Sequence, residues 1–167
     1  MFQKLFGGKK EKEKEETGGQ LLAVQSGKVV PIEEVPDPVF SQKVLGEGVA
    51  VIPEEGKIYS PVDGTVDNVM DTGHALAIVA KDGAQILIHI GLETVELKGE
   101  GFRPHVTSGQ KVRAGDLLME VDLDMLKSRG YQTITPVLIL NSDSFQEITP
   151  CTGDARARET VILSYHS

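Results

Sequence analysis

Two histidines, His74 and His89, are the residues whose type and spacing first suggest chemistry in this chain. They lie fifteen residues apart, and the tetrapeptide Lys-Asp-Gly-Ala at 81–84 stands midway between them. Apolar runs at 75–80 and 86–90 flank that tetrapeptide. An Asp-Gly pair between two β-prone runs is typical of a β-hairpin with a two-residue loop. We therefore expect the two histidines near the open end of one hairpin.

The register of this hairpin decides where the two imidazole rings point. With the Asp-Gly pair at 82–83 as the loop, His74 lies opposite Gly91, and Leu76 opposite His89. Directly paired residues share a face of the sheet, as do residues two apart along one strand. The pattern therefore predicts His74 and His89 on one face, together with Thr72. A slip of one residue would place the two histidines on opposite faces.

Three chemical interpretations fit two histidines that converge on one face. The rings could be two zinc ligands, because neutral imidazole is a common ligand for that metal. They could be a nucleophile and a helper that stabilises charge. They could also be half-buried strand residues without a chemical role. The spacing alone leaves all three open.

Length, charge and cysteine content describe the whole chain. Its 167 residues suffice for one domain with a sizeable core. The net charge of −8 argues against nucleic acid and anionic membrane as main partners. Cys151 is the single cysteine, which is typical of a reducing compartment. No run approaches the ~18–20 apolar residues that span a bilayer, and we expect a cytoplasmic protein.

The composition changes near residue 20. Residues 7–19 contain glycine, lysine and glutamate but no apolar residue, so we expect 1–19 to form a disordered Lys/Glu-rich tail. Beyond it, short β-prone runs alternate with Gly, Pro and Asp every eight to twelve residues. This spacing predicts an all-β domain over 20–167, an antiparallel β-sandwich or barrel with short helical turns at 124–129 and 143–147. A faint internal repeat indicates a duplicated motif.

The segment HIGLETVELKGEGF at 89–102 resembles the active-histidine segment of the glucose-family enzyme IIA proteins of the bacterial phosphoenolpyruvate:sugar phosphotransferase system. Four further segments resemble other signatures of that family, in the family's order: Val35–Phe40, Pro61–Thr65, Thr72–Ala75 and Thr135–Val137. The resemblance covers roughly residues 20 to 165. It implies the duplicated β-sandwich of that family and a free-standing phosphotransferase.

The resemblance also implies a role for each residue near the histidines. His89 would accept a phosphoryl group on Nε2 from the phosphohistidine of HPr and pass it to a cysteine of a IIB domain. His74 would stabilise the phosphate, and Thr72 would orient His74. The carbonyl of Gly91 would hold Nδ1 of His89, which fixes the lone pair on the other nitrogen.

A docking patch for HPr and IIB is implied as well. Its matching positions are Asp37, Val39, Phe40, Leu45, Met70, Leu87, Glu93 and Val95. Asp37 and Glu93 would meet basic residues of the partners. We expect Val39 and Phe40 to be exposed for docking, the alternative being that they fill the core.

The remaining expectations concern ligands and competing functions. The chain needs no cofactor and is expected to be a monomer that meets the membrane only through its permease. Two histidines are too few for a structural metal, so zinc at His74 and His89 would need a partner's carboxylate. A zinc peptidase is disfavoured because 89–91 lacks a His-x-His pair. The competing function is a regulatory module that docks on transporters or metabolic enzymes according to its phosphorylation state.

Overall fold

Short β-prone runs form fourteen strands in the computed structural model, which describes residues 18–166. The strands are β1 (Gly18–Leu22), β2 (Gly27–Pro31), β3 (Glu47–Pro53), β4 (Lys57–Tyr59), β5 (Gly64–Val69), β6 (Ala75–Ala80), β7 (Gln85–His89), β8 (Phe102–Pro104), β9 (Lys111–Val112), β10 (Leu117–Val121), β11 (Thr135–Ile139), β12 (Gln146–Pro150), β13 (Gly153–Ala155) and β14 (Val161–His166). Two helices, α1 (Pro38–Ser41) and α2 (Leu123–Ser128), and three 3-10 turns, Ile32–Glu34, Thr94–Leu97 and Ser142–Ser144, connect them. The predicted all-β class is confirmed.

The predicted tail lies outside the described residues as far as residue 17. Residues 18 and 19 belong to β1 instead, and they pair with the last strand, β14. Within the described part of the chain, no helix is long and apolar enough to cross a membrane.

Three antiparallel sheets make up the sandwich. The largest has eight strands in the order β9-β5-β6-β7-β11-β3-β2-β13, so the hairpin β6–β7 lies near its middle. Two smaller sheets, β4-β10-β8 and β12-β14-β1, have three strands each. The predicted antiparallel pairing is confirmed in every sheet.

The main core is filled by the inward faces of these strands. Ile78, Ile86, Ile88 and Val137 are fully buried in it. Fully burying each such side chain stabilises the fold by about 1.5–3 kcal/mol. A second, smaller cluster consists of Val30, Ile32, Val35, Phe40, Ala50, Leu92 and Leu138. It includes residues of α1, of the 3-10 turn 32–34 and of the segment that follows His89.

The hairpin β6–β7 exists as predicted, but its predicted register is wrong by one residue. Ala75 lies opposite His89, and Leu76 opposite Ile88. The expected pairing of Leu76 with His89 is therefore not formed, and neither is the two-residue loop at 82–83.

A three-residue loop at 81–83 causes this shift. Gly83 adopts φ +94°, and its N–H donates to the Ala80 carbonyl at 2.9 Å. The carboxylate of Asp82 accepts the N–H of Ala84 at 3.1 Å. From the far side, the Asn141 amide donates to the carbonyl of Gly83 at 3.0 Å. A loop with a left-handed glycine at its third position is the next common hairpin connection.

Both helices begin at an aspartate. Asp37 accepts the N–H of Val39 at 3.0 Å, and Pro38 occupies the first helical position of α1. Asp122 accepts the N–H of Met125 at 3.0 Å in the same way. Helix α2 matches the predicted turn at 124–129, whereas the turn predicted at 143–147 is the 3-10 turn 142–144.

Candidate functional site

His89 is the last residue of β7, and its ring is half-buried. Its Nδ1 lies 2.8 Å from the carbonyl oxygen of Gly91. Burial lowers the pKa of His89 below its ordinary value, and nearby His74 adds to this effect. The Gly91 carbonyl and Asp37 raise the pKa but do not outweigh burial. The neutral ring donates from Nδ1, which leaves the lone pair on Nε2.

The contact from Gly91 depends on a backbone conformation that favours glycine. Gly91 is buried and has φ +72°. A β-carbon at this position would lie 2.7 Å from the carbonyl oxygen of Gln132 and 2.7 Å from Cγ2 of Thr94. The chain turns back towards His89 at Gly91, and any side chain at this position would clash with these two atoms.

The ring of His74 packs against the ring of His89. It is only 6% exposed, and its centroid lies 5.1 Å from that of His89 with 79° between the ring planes. The hydroxyl oxygen of Thr72 lies 2.5 Å from Nδ1 of His74. Burial lowers the pKa of His74 as well. Two neutral imidazoles thus stand edge to face at neutral pH.

The two rings meet for a reason other than the predicted pairing. In the observed register, His74 is opposite Ile90, whose N–H donates to the His74 carbonyl at 2.7 Å. Strict alternation would then place the histidines on opposite faces. However, β6 begins only at Ala75, and the chain turns at Gly73 with φ +73°. Alternation does not apply to the residue before a strand, so the His74 ring reaches His89.

Phe40 corrects the predicted docking patch. Its side chain is 4% exposed and belongs to the second core cluster. Its ring lies 5.0 Å from that of His89, tilted by 57°. The expectation that Phe40 is exposed for docking is therefore wrong, because helix α1 turns it towards the sheet. Its neighbour Val39 is 44% exposed, as expected.

The other predicted patch residues differ in exposure. Leu45, Met70 and Val95 are exposed, whereas Leu87 is half-buried against the second core cluster. Met70 and Val95 line a cleft of about 330 Å³ together with Thr72. The structure thus places part of the patch directly beside the residue that contacts His74.

A larger cleft, of about 500 Å³, brings Asp37 and Glu93 together. Within residues 18–166, neither carboxylate forms an ion pair. Arg129 also lines the cleft, but its guanidinium binds both carboxylate oxygens of Glu100 at 2.8 Å. Arg129 is therefore already paired with Glu100, and the carboxylates of Asp37 and Glu93 have no ion-pair partner among the described residues.

Sequence reasoning missed one residue near the site. Thr94 belongs to the motif at 89–102 but was assigned no role, yet it is fully buried and donates to the carbonyl of Ile90. No spacing rule signals that contact. Across residues 18–166, no group of three or more His, Cys, Asp or Glu could hold a metal ion.

Several known proteins are similar to this chain in sequence. The family described as "phosphoenolpyruvate-dependent sugar phosphotransferase system, EIIA 1" matches residues 19–145. The PTS system glucose-specific EIIA component of Bacillus cereus is 48% identical over 158 residues, 95% of this chain and 93% of that protein. The component of the same name from Haemophilus influenzae is 43% identical over 164 residues, 98% of this chain and 97% of that protein.

A solved structure shows the same fold. The glucose permease IIA from Mycoplasma capricolum superposes with a TM-score of 0.81 at 34% identity. The match covers 88% of this chain and 95% of that one.

Proposed function

Because the chain belongs to the EIIA 1 family of the phosphoenolpyruvate-dependent sugar phosphotransferase system, its activity is that of a phosphocarrier, and we propose that Nε2 of His89 carries the phosphoryl group. The observation that carries this proposal is the 2.8 Å contact between Nδ1 of His89 and the Gly91 carbonyl. A carbonyl accepts only from a protonated nitrogen, so the neutral ring keeps its lone pair on Nε2. A nucleophilic nitrogen needs that lone pair.

Phosphoryl transfer proceeds in two displacement steps. In the first step, the Nε2 lone pair of His89 forms a bond to the phosphorus of phospho-HPr. The bond from phosphorus to the donor's imidazole nitrogen breaks, and its electron pair stays on that nitrogen. In the second step, a cysteine thiolate of IIB forms a bond to the phosphorus, and the bond to Nε2 breaks with its electron pair returning to that nitrogen. Such transfers have loose transition states, so the protein contributes mainly alignment and charge stabilisation.

His74 is the group that stabilises the transferred phosphate in this proposal. Its ring centroid lies 5.1 Å from that of His89, close enough for both rings to face one phosphoryl group. In this proposal, the hydroxyl of Thr72 donates to Nδ1 of His74, from which it lies 2.5 Å away, and the ring proton of His74 is on Nε2. That N–H then donates to a phosphate oxygen, where negative charge is concentrated.

HPr and a IIB domain dock in turn on the surface around His89. The exposed side chains of Val39, Met70 and Val95 supply an apolar contact that tolerates two different partner folds. Asp37 and Glu93 supply negative charge in the larger cleft. Basic residues of the partners would pair with them and raise the association rate at low salt.

The transported sugar and the compartment complete the proposal. Relatives of 43–48% identity are named glucose-specific, so we assign glucose as the sugar whose uptake this chain supports. The reaction is placed in the cytoplasm, in keeping with a single cysteine. The extent of the functional domain, 20–167, remains a prediction beside the family match at 19–145.

Intact mass measurement tests the proposal directly. The chain is incubated with phosphoenolpyruvate, enzyme I and HPr, and its mass is recorded at alkaline pH, where phosphohistidine is stable. We expect a gain of one phosphoryl group that is absent from His89→Ala. Omission of HPr controls for direct transfer from enzyme I.

Two outcomes would contradict the proposal. A gain that persists in His89→Ala would assign the phosphoryl group to another residue. No gain in the folded wild-type chain, with HPr shown to be phosphorylated, would favour the regulatory docking module instead.

A further inference from the structure

Thr94 binds the backbone segment that follows His89. It is fully buried, and it opens the 3-10 turn Thr94–Leu97. Its hydroxyl donates to the carbonyl of Ile90 at 2.5 Å. Its methyl group lies 2.7 Å from the position that a β-carbon on Gly91 would occupy. The Thr94 side chain thus binds Ile90 and occupies the space beside Gly91 where a β-carbon would lie.

These two contacts constrain the peptide group between Ile90 and Gly91. The Ile90 carbonyl and the Gly91 N–H belong to one planar unit, so holding the carbonyl fixes the plane from which Gly91 starts. The Ile90 N–H is bound as well, by the His74 carbonyl at 2.7 Å. On the far side of Gly91, the carbonyl of Gln132 accepts the N–H of the next residue at 3.1 Å.

We propose that Thr94 is a positioning residue whose hydroxyl, acting through Ile90 and Gly91, sets the tautomer of His89. This proposal rests on the function proposed above and adds a residue that acts on the nucleophile. The Gly91 carbonyl reaches Nδ1 of His89 at 2.8 Å only while the peptide before it keeps its orientation. Without that acceptor, Nδ1–H loses its stabilisation, and the proton moves to Nε2 in part of the molecules. Such molecules lack the nucleophilic lone pair.

The first measurement reads the tautomer without any phosphorylation. Long-range ¹H–¹⁵N spectra of the full-length chain are recorded above neutral pH for the wild type, Thr94→Val and Thr94→Ser. In the wild type, Nε2 of His89 should resonate as an unprotonated nitrogen. In Thr94→Val, which lacks the hydroxyl at similar volume, its shift should move towards the protonated value. Thr94→Ser keeps the hydroxyl and should restore the wild-type shift.

The second measurement is the rate of phosphoryl acceptance from purified phospho-HPr. Losing one buried hydrogen bond should lower the maximal rate of Thr94→Val roughly threefold to tenfold. The concentration of phospho-HPr that gives half the maximal rate should not change, because Thr94 is buried. Thr135→Val is the matched control, since Thr135 is also fully buried and donates to the carbonyl of Thr133 at 3.0 Å. This variant should leave the His89 spectrum unchanged.

Several outcomes would overturn the inference while leaving the phosphocarrier function intact. A wild-type His89 spectrum in Thr94→Val would do so, as would an equal shift in Thr94→Ser or Thr135→Val. If Thr94→Val does not fold, Thr94→Ala removes the same hydroxyl with a smaller side chain. If both variants unfold while Thr94→Ser folds, the Thr94 hydroxyl is required for folding, and the inference that it acts on His89 is overturned. If the chain were still phosphorylated in His89→Ala, the proposed function would be contradicted instead, whereas the tautomer measurement would be unaffected.

Discussion

The ring of Phe40 lies 5.0 Å from the ring of His89, although Phe40 itself is only 4% exposed. The side chain of Phe40 therefore belongs to the second core cluster and also packs near the ring of His89. Phe40 shields one part of the His89 ring from water, which agrees with the lowered pKa of His89. Val39 and Phe40 were both expected to be exposed for docking, but only Val39 is exposed.

Substitutions at positions 39 and 40 should have opposite consequences. Phe40→Ala should lower the free energy of unfolding by about 3–5 kcal/mol, because it leaves a cavity in the second core cluster. Phe40→Asp should cost more, since it also buries a carboxylate. Chemical denaturation measures both changes. An unchanged unfolding midpoint in Phe40→Asp would contradict its burial.

Val39→Asp should keep the stability of the wild type and slow phosphoryl acceptance by weakening the encounter with HPr. Val39 is 44% exposed, so little apolar contact within the chain is lost. Ile52→Asp is the matched control, because Ile52 is exposed to a similar fraction, 46%, but is not a residue of the predicted docking patch. It pairs with Lys28 on β2. Stopped-flow rates with phospho-HPr would distinguish the two variants. Equal slowing in both would show a general effect of added negative charge.

Glycine substitutions should separate backbone strain from damage to the site. Gly83→Ala and Gly91→Ala both place a β-carbon at positive φ, at +94° and +72°. No atom lies within 4 Å of the new carbon at Gly83, whereas at Gly91 it meets Gln132 and Thr94. Gly83→Ala should therefore cost about 1 kcal/mol and retain activity. Gly91→Ala should lose both stability and phosphoryl acceptance, as denaturation and intact mass would show.

The hairpin shows where sequence reasoning succeeds and where it stops. The apolar runs around Asp82 and Gly83 correctly predicted two paired strands with the histidines at their open end. The register was wrong because an Asp-Gly pair fits a two-residue or a three-residue loop. The observed three-residue loop is stabilised by Asn141, which contacts Gly83 and lies 58 positions away along the chain. Contacts of that range leave no mark on local periodicity.

The candidate site shows the same limit. The chain segments around His74 and His89 were predicted from motif and hairpin together, and the structure brings both rings within 5.1 Å. The burial of Phe40 could not be predicted, because it depends on Leu92 and Leu138, which are distant in sequence. Thr94 was overlooked for a similar reason. Its partner is a backbone carbonyl, and side-chain patterns carry no information about that contact.

Replacing His74 should separate the two transfer steps. His74→Gln keeps a side-chain N–H donor but loses the ring held by Thr72. We expect His89 to accept a phosphoryl group in this variant, while onward transfer to a IIB domain slows by at least tenfold, as expected for loss of a positioned donor of about 1.4 kcal/mol or more. Single-turnover assays of each step would measure the split. Equal loss in both steps would contradict a role limited to the transferred phosphate.

The lowered pKa values of His74 and His89 predict how activity and stability depend on pH. Phosphoryl acceptance needs a neutral His89, so it should continue below pH 6.5, the ordinary value for histidine, and fall only as pH approaches the lower value in the folded protein. Between these two values the unfolded chain binds protons that the native chain does not. The stability contributed by the neutral rings is therefore complete above pH 6.5 and is lost as pH falls.

Two measurements check these pH effects independently. An NMR titration of the carbon-bound ring protons should give midpoints below pH 6.5 for both histidines. Between pH 7.5 and pH ~5.5, the wild type should lose more unfolding free energy than His89→Gln does. Only the wild type must keep the His89 ring uncharged in the folded state. His89→Gln removes the titrating group and is the control within the same chain. A wild-type titration midpoint above pH 6.5 would contradict the lowered pKa of His89 and the expected activity below that pH.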